Sequence, residues 1–447
     1  MHSNNVFYRG ELKRVYPIME RGEGVYLYDS EGKKYLDAMS GIAVANIGYG
    51  IQEVADAITE QVKKLSFCFT VRFTSQEQED LAKRIADLSP PGLKRVWFSL
   101  SGSEANECAI KAARQYHVET GNPSKFKVIS RWQSYHGSSL ATLSISGAEN
   151  WRRNYAPMMA EYPKIAPVDC YRCPFGKNYP GCDLDCAHDL ERVIKFSGAN
   201  EISAFIAEPI VAGSTGATVP PPEYFKLIRS ICDKYNILFI VDEVFCGNGR
   251  TGKFYAIEHW DVVPDIISVA KGIAGGYIPL GATVIHEKIH NAIYRGSGKF
   301  VHGVTFSGHP VACAAGIAVL TYMEKKGLVE RAAEMGDYLM KKLSSLTDFP
   351  MVGQIRGKGL LLGIEFVADR ITKEPFDPAL GIARKIVQSA FQKGLIVQPG
   401  NGGADGVRGD HILICPPFTL SRAEADQIVE ILREVFKDVQ KSVQKPL

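Results

Sequence analysis

At 447 residues, 45% of them apolar and 23% charged, the chain is long enough to bury a large core. Its composition excludes wholesale disorder, collagen and an extended coiled coil. The 52 basic and 49 acidic residues leave a net charge of +3, which gives no electrostatic footprint for nucleic acid. Apolar runs such as Val311 to Leu320 fall short of the ~20 residues that span a bilayer. Met1 to Val6 has neither the basic start nor the apolar stretch of a signal peptide, so a cytoplasmic protein is expected.

In chain order, a hairpin is predicted first: Val25 to Tyr28, a turn at Asp29-Ser-Glu-Gly32, then Lys34 to Asp37. Val54, Ala57, Ile58, Val62 and Leu65 follow at helical spacing. After Pro90-Pro91-Gly92 the pattern changes to short apolar runs separated by helix-length segments: Arg95 to Leu100, Phe126 to Ser130, Ile202 to Ala207, Ile237 to Val241, Ile266 to Ala270 and Gly281 to Ile285. Runs rich in Val, Ile and Phe read as strands buried on both faces, and their alternation with helices predicts a mostly parallel α/β sheet. From about Lys325 the chain turns more charged and helical. Gly359 to Phe366 reads as a strand. Ser421 to Val443 reads as a closing helix whose apolar face is Ile428, Ile431, Leu432, Val435, Phe436, Val439 and Val443. Between them, Gly400 to Gly409 is a glycine-rich loop.

The first five of these six predicted strands lead into polar residues. Ser101-Gly102-Ser103-Glu104-Ala-Asn106 follows the first, Tyr135-His136-Gly137 the second, Glu208-Pro209 the third, Asp242-Glu243 the fourth and Lys271-Gly272 the fifth. Ligands of open α/β sheets bind outside the carboxyl ends of the strands, so these five clusters converge on one crevice. Lys271 is the only Lys, Arg, Asp or Glu from Ile266 through His286. Desolvation lowers an amine pKa, as a Schiff-base lysine requires; the plainer alternative is a lysine snorkelling to solvent. Asp242 closes an apolar run and needs a partner. A protonated ring nitrogen such as that of pyridoxal phosphate is one, and a structural salt bridge is another. Ser101-Gly102-Ser103 opens a helix, where free amides bind phosphate, although the same residues make an ordinary N-cap. Tyr135 and His136 suit stacking on a planar ring, or simply core packing.

Together these segments resemble the class III, ω-amino-acid type, pyridoxal-phosphate aminotransferases of fold type I. Gly249-Arg-Thr-Gly252, Thr305-Phe-Ser-Gly-His-Pro310 and Arg356-Gly-Lys-Gly359 complete an ordered set of motifs from about Gly24 to Phe436. The resemblance implies a large, mostly parallel, seven-stranded-type sheet domain over residues 66–324. It also implies a small α+β domain built from residues 1–65 and 325–447. Lys271 would hold the cofactor as a Schiff base and shuttle the proton; Asp242 would pair with the ring nitrogen. Tyr135 would stack on the ring, with Val244 over its other face. Ser101, Gly102 and Ser103 would hold the phosphate, joined by Thr305 of a neighbouring subunit, with His136 and Glu208 in support. A homodimer or dimer of dimers with the site at its interface follows.

Two departures bear on substrate. Relatives that use 2-oxoglutarate carry an acidic residue shortly after the Glu208 position, whereas the stretch from Pro209 to Pro220 has none. Arg408 precedes Gly409-Asp410-His411, where the resemblance places the arginine that swings onto substrate carboxylates; the alternative is a solvated loop arginine. The expected reaction moves an amino group from an ω-amino acid or amine to a 2-oxo acid, with pyruvate as acceptor. A 4-aminobutyrate or ornithine type using 2-oxoglutarate, and a racemase or aminomutase with the same lysine and aspartate, are the alternatives. Cys170, Cys173, Cys182 and Cys186 cluster in one segment and could bind zinc or pair as disulfides. Free or redox-active thiols and no metal are expected, since aminotransfer needs none. A binding protein built on this module, with an inactive α/β part, is the alternative from another class.

Overall fold

The computed structural model describes residues 5–444. Met1 to Asn4, part of the stretch read for a signal peptide, lie outside the described residues, as does the side chain of Val443. A seven-stranded sheet takes the order Leu93–Ser99, Gly281–His286, Ile266–Val269, Leu238–Asp242, Ile202–Ala207, Lys127–Arg131, Lys164–Ile165. Gly281–His286 runs antiparallel to both its neighbours, and every other adjacent pair is parallel. Six strands therefore point their carboxyl ends at one edge. Successive side chains alternate between two cores: Phe205, Phe239, Val241, Ile267 and Val269 enter one, while Ala204, Ile206, Leu238, Ile240 and Ile266 enter the other. Burial on both faces explains why these runs lack polar alternation. Lys164–Ile165, at two residues, is too short to leave a pattern in the sequence.

Residues from both ends of the chain build two smaller sheets. In one, Leu395–Ile396 pairs in parallel with Lys34–Asp37 of the N-terminal hairpin. The other joins Val352–Lys358, Leu361–Phe366, Asp410–Ile414 and Gln398–Gly400. The predicted strand at 359–366 starts two residues later because Gly359 turns, with φ +54°, against the backbone of Thr251. The closing helix is Arg422–Gln444. Ser421 stays outside as its cap: its Oγ accepts the Glu424 N–H (3.3 Å), and the Glu424 carboxylate accepts the Ser421 N–H (2.8 Å). Among the described residues no helix is long and apolar enough to cross a membrane.

Arg250 fastens these parts together. Its fully buried guanidinium donates to the carbonyls of Leu360 (3.1 Å) and Pro416 (2.5 Å), to Ser40 Oγ (3.2 Å) and to Asn46 Oδ1. Asn46 in turn lies where a Cβ on Gly272 would sit. The N-terminal segment is thereby packed directly behind Lys271.

Candidate active site

The carboxyl edge of the large sheet opens into two adjoining cavities of about 290 and 450 Å³. The larger one is entered by the first turn of helix Gly102–Glu119. Ser101 caps that helix, its Oγ accepting the Glu104 N–H at 3.3 Å, and the Glu104 carboxylate accepts the Leu100 N–H at 2.7 Å. The amides of Gly102 and Ser103, like the first N–H groups of any helix, have no intrahelical acceptor, and they border the cavity with the donor geometry that an anion requires. Only glycine fits at 102, since a Cβ there would stand 2.6 Å from Val244 Cγ1. Ser103 Oγ accepts the Ser138 N–H at 3.1 Å, and Gly137, at φ +137°, lets that loop approach.

Asp242 ends its strand 3% exposed. Oδ2 accepts from Asn106 Nδ2 (2.8 Å) and lies 2.8 Å from His136 Nδ1, while Oδ1 accepts the Val244 N–H at 3.0 Å. Asn106 also donates to the His136 carbonyl at 2.8 Å, which locks strand end, helix and loop together. Its partners are the amides of Asn106 and Val244 and the His136 ring, and no Arg or Lys among the described residues touches the carboxylate. The buried partner of Asp242 entertained from the sequence is therefore His136, and not an Arg or Lys, among the described residues. Glu208 accepts the Tyr135 N–H at 3.1 Å, and burial pushes its carboxyl group up.

Lys271 opens the 3-10 turn Lys271–Ala274 in a left-handed conformation, φ +53°. Its Nζ lies 3.9 Å from the centre of the Phe245 ring. Burial pushes the amine down to about 8, against the opposing pull of the Asp242 charge. An amine lowered to about 8 has a substantial neutral fraction near pH 7 to 8, the form a nucleophile needs, which an ordinary lysine at ~10.4 lacks.

Ser101, Gly102, Ser103, Tyr135, His136, Asp242, Val244 and Lys271 all line the larger cavity, and Glu208 lines the smaller one beside Tyr135 and Lys271. Two expected residues stand apart. Thr305 lines neither cavity and is exposed on its own chain. Arg408 also lines neither: its guanidinium is held by Asp405 (2.7 Å) and Glu374 (2.8 Å) at the surface. The short turn at Asp405 that makes this pair directs Arg408 away, although Gly406 of the same loop reaches the cavity. The loop is tied down at its base by Gln133 Nε2, which donates to the Gly402 and Gly403 carbonyls at 3.0 and 3.2 Å. Sequence reasoning missed Asn106 as an Asp242 partner, although it quoted the motif containing it. It also missed Arg9, Trp151 and Phe245, cavity residues outside any regular pattern. All ten cysteines carry free thiols. Among the described residues no group of three or more His, Cys, Asp or Glu could hold a metal ion.

Comparison with known proteins places this architecture. The family model for class-III aminotransferases matches residues 8–436, and the chain belongs to that family. An uncharacterized aminotransferase, YodT, of Bacillus subtilis is 40% identical, over 97% of this chain and 98% of its own. Putrescine–pyruvate aminotransferase of Pseudomonas aeruginosa is 36% identical, over 93% of this chain and 90% of its own. Diaminobutyrate–2-oxoglutarate transaminase of Halomonas elongata is 35% identical, over 92% and 88%. An amine transaminase from an uncultivated Pseudomonas species, solved in a PLP-bound form, superposes with a TM-score of 0.91 at 34% identity, covering 97% of this chain and 99% of that one. The fold is that of the fold type I transaminases, and the cofactor of the family is pyridoxal phosphate.

Proposed function

We propose that this chain transfers an amino group from an amine or ω-amino acid to pyruvate. The large cavity suits pyridoxal phosphate: the unpaired amides of Gly102 and Ser103 for the phosphate, the Asp242 carboxylate held by its hydrogen bonds for the ring nitrogen, Tyr135 and Val244 for the ring faces, and the Lys271 amine for its aldehyde. When bound, the cofactor supplies an electron sink for the carbon that bears the amino group. Asp242, held by Asn106, His136 and the Val244 amide, would lie opposite the ring nitrogen. Lys271 Nζ takes and returns the proton, with an affinity close to neutrality. His136 and Glu208 position Asp242 and the Tyr135 loop.

The observation that carries the acceptor is the charge of the smaller cavity. From Pro209–Pro220 only Ala212, Gly213 and Ser214 reach it, a wall without charge. Besides Lys271, its one basic residue is Arg9; its acidic residues are Glu208 and Glu149, the latter paired bidentately with Arg153 at 2.8 Å. One guanidinium serves one carboxylate, so the second carboxylate of 2-oxoglutarate would be buried unpaired. With a common amine donor, alanine from pyruvate should form much faster than glutamate from 2-oxoglutarate. Equal rates would move the chain to the 2-oxoglutarate users. Retention of the amino group without a keto product would mean a racemase or aminomutase.

We further propose a homodimer, with the residue 65 and 325 divisions as domain boundaries. Thr305 would complete the partner's phosphate site. In support, Thr305 borders Phe306, whose ring lies 5.9 Å from Phe67, in an apolar surface extended by Phe69 and Phe73, both more than half exposed. Light scattering of the purified protein should give a mass of two chains or four, and a single chain would refute this assembly.

A further inference from the structure

Four residues line both cavities: Arg9, Ile42, Tyr135 and Lys271. They mark where the cofactor side, with Asp242 and the helix N-terminus, meets the substrate side, with Trp151 and Phe245. The carbon that exchanges its amino group must sit at this junction, beside the Lys271 amine. Of the residues lining this junction, Arg9 is the one besides Lys271 that carries a positive charge.

The N-terminal arm is folded to bring Arg9 there. Gly10 turns the chain at φ +101°, a conformation other residues rarely adopt. The Tyr16 hydroxyl donates to the Glu11 carbonyl at 3.2 Å, and Tyr8 packs on Tyr16 with ring centres 4.8 Å apart. Arg14 lies over both Tyr16 (5.3 Å) and Phe391 (5.7 Å), which anchors the arm to the body. Arg14 is thus committed to aromatic faces and Arg408 to two carboxylates. The Arg9 guanidinium, by contrast, has no hydrogen bond or ion pair among the described residues.

We propose that Arg9 is the anchor for the carboxylate adjacent to the reacting carbon, in 2-oxo acids and in α-amino acids. This rests on the reading of the chain as an oxo-acid aminotransferase. A guanidinium binds a carboxylate through two parallel N–H···O bonds. Because the arm is exposed on its outer side, Arg9 can move aside for an amine whose substituents are uncharged.

The test compares wild-type holoenzyme with Arg9→Gln, Arg9→Lys and Arg408→Ala. Propionate, an unreactive carboxylate the size of pyruvate, is titrated calorimetrically, and KM is measured for pyruvate and for an uncharged amine donor. Losing a charged pair of this kind should weaken propionate binding and raise the pyruvate KM together by about 10- to 100-fold in Arg9→Gln. Arg9→Lys should recover part of the loss. The amine KM should stay within about twofold, and Arg408→Ala should bind propionate as wild type does. Unchanged propionate binding in Arg9→Gln, or the loss appearing in Arg408→Ala instead, would overturn the proposal. Failure of the wild-type protein to form any amino acid from an oxo acid would defeat the aminotransferase reading by itself. The propionate titration reads Arg9 separately from that outcome.

Discussion

The floor and the rim of the site are built on opposite principles. On the floor, Asp242, Asn106 and His136 are buried and hydrogen-bonded to one another. Each sits at a strand end, in the second turn of a helix or in a loop clamped between the two. On the rim, Arg9 and Trp151 are exposed and Glu149 half-buried; they belong to an irregular arm or a one-turn helix, and an exposed loop carries Arg408 past the site. Burial makes the floor's charges strong and its lysine reactive, since a low dielectric magnifies each interaction. Exposure makes the rim weak per contact but movable, which suits a site that must accept an amine and an oxo acid in turn. On the proposed function, reaction type lies with the floor and substrate choice with the rim.

Substitutions on the floor should therefore cost far more than those on the rim. Lys271→Ala should fold with an unchanged melting temperature yet lose turnover by about 10⁴-fold or more, since it removes both nucleophile and proton carrier. Its absorbance spectrum should lack the visible band of the wild-type holoenzyme; turnover near the wild-type rate would end the assignment. Asp242→Asn should still bind cofactor but slow transamination by about 10²- to 10⁴-fold, the equivalent of the ~3–5 kcal/mol lost when one partner of a buried charge pair is removed. Wild-type rates in that variant would reduce the carboxylate to a structural role.

Arg250 extends the floor into the architecture. Arg250→Ala strands the Leu360 and Pro416 carbonyls, Ser40 and Asn46 in the interior, and should cost about 3 kcal/mol or more of stability. Urea unfolding measures it, and a loss below 1 kcal/mol would show that the parts hold together without it. The floor was also the legible part of the sequence. Lys271, Asp242 and Ser101–Ser103 stand at the ends of apolar runs, and a run buried on both faces announces where its strand stops. Asn106 was in view but unassigned, because nothing along the chain says which strand end a helical side chain will meet. Arg9 and Trp151 had no signal at all, since the fold of an irregular arm depends on tertiary partners such as Phe391. Arg408 was misplaced for a related reason: motif spacing cannot report that Asp405 and Glu374 compete for its guanidinium.

Protonation offers a smaller test of the same contrast. Burial lowers the Lys271 amine to about 8, while Asp242 and Glu208 pull the other way. The neutral amine is the reacting form, so capture of an aldehyde by cofactor-free protein should accelerate about tenfold per pH unit up to pH ~8 and then level off. A stopped-flow pH series measures this. A rate still climbing through pH 10 would mean that Lys271 is as solvated as a rim residue.

The smallest effect is expected on the rim. Trp151 is 44% exposed, and its ring lies 5.3 Å from that of Tyr135, tilted by 50°. The pair walls the substrate side of the junction, so an aryl substituent on an amine donor would pack against it. Aromatic pairs contribute about 0.5–1.5 kcal/mol beyond their buried area, which sets a ceiling of roughly tenfold on the effect. Trp151→Ala should raise KM for aryl-bearing amines by about 2- to 10-fold and leave the pyruvate KM unchanged, because the carboxylate contact lies elsewhere. Its melting temperature should stay within about a degree, since a half-exposed ring on a short turn buries little area. A comparable loss with pyruvate, or a marked drop in melting temperature, would mean that Trp151 supports the floor and that the division between the two regions is drawn in the wrong place.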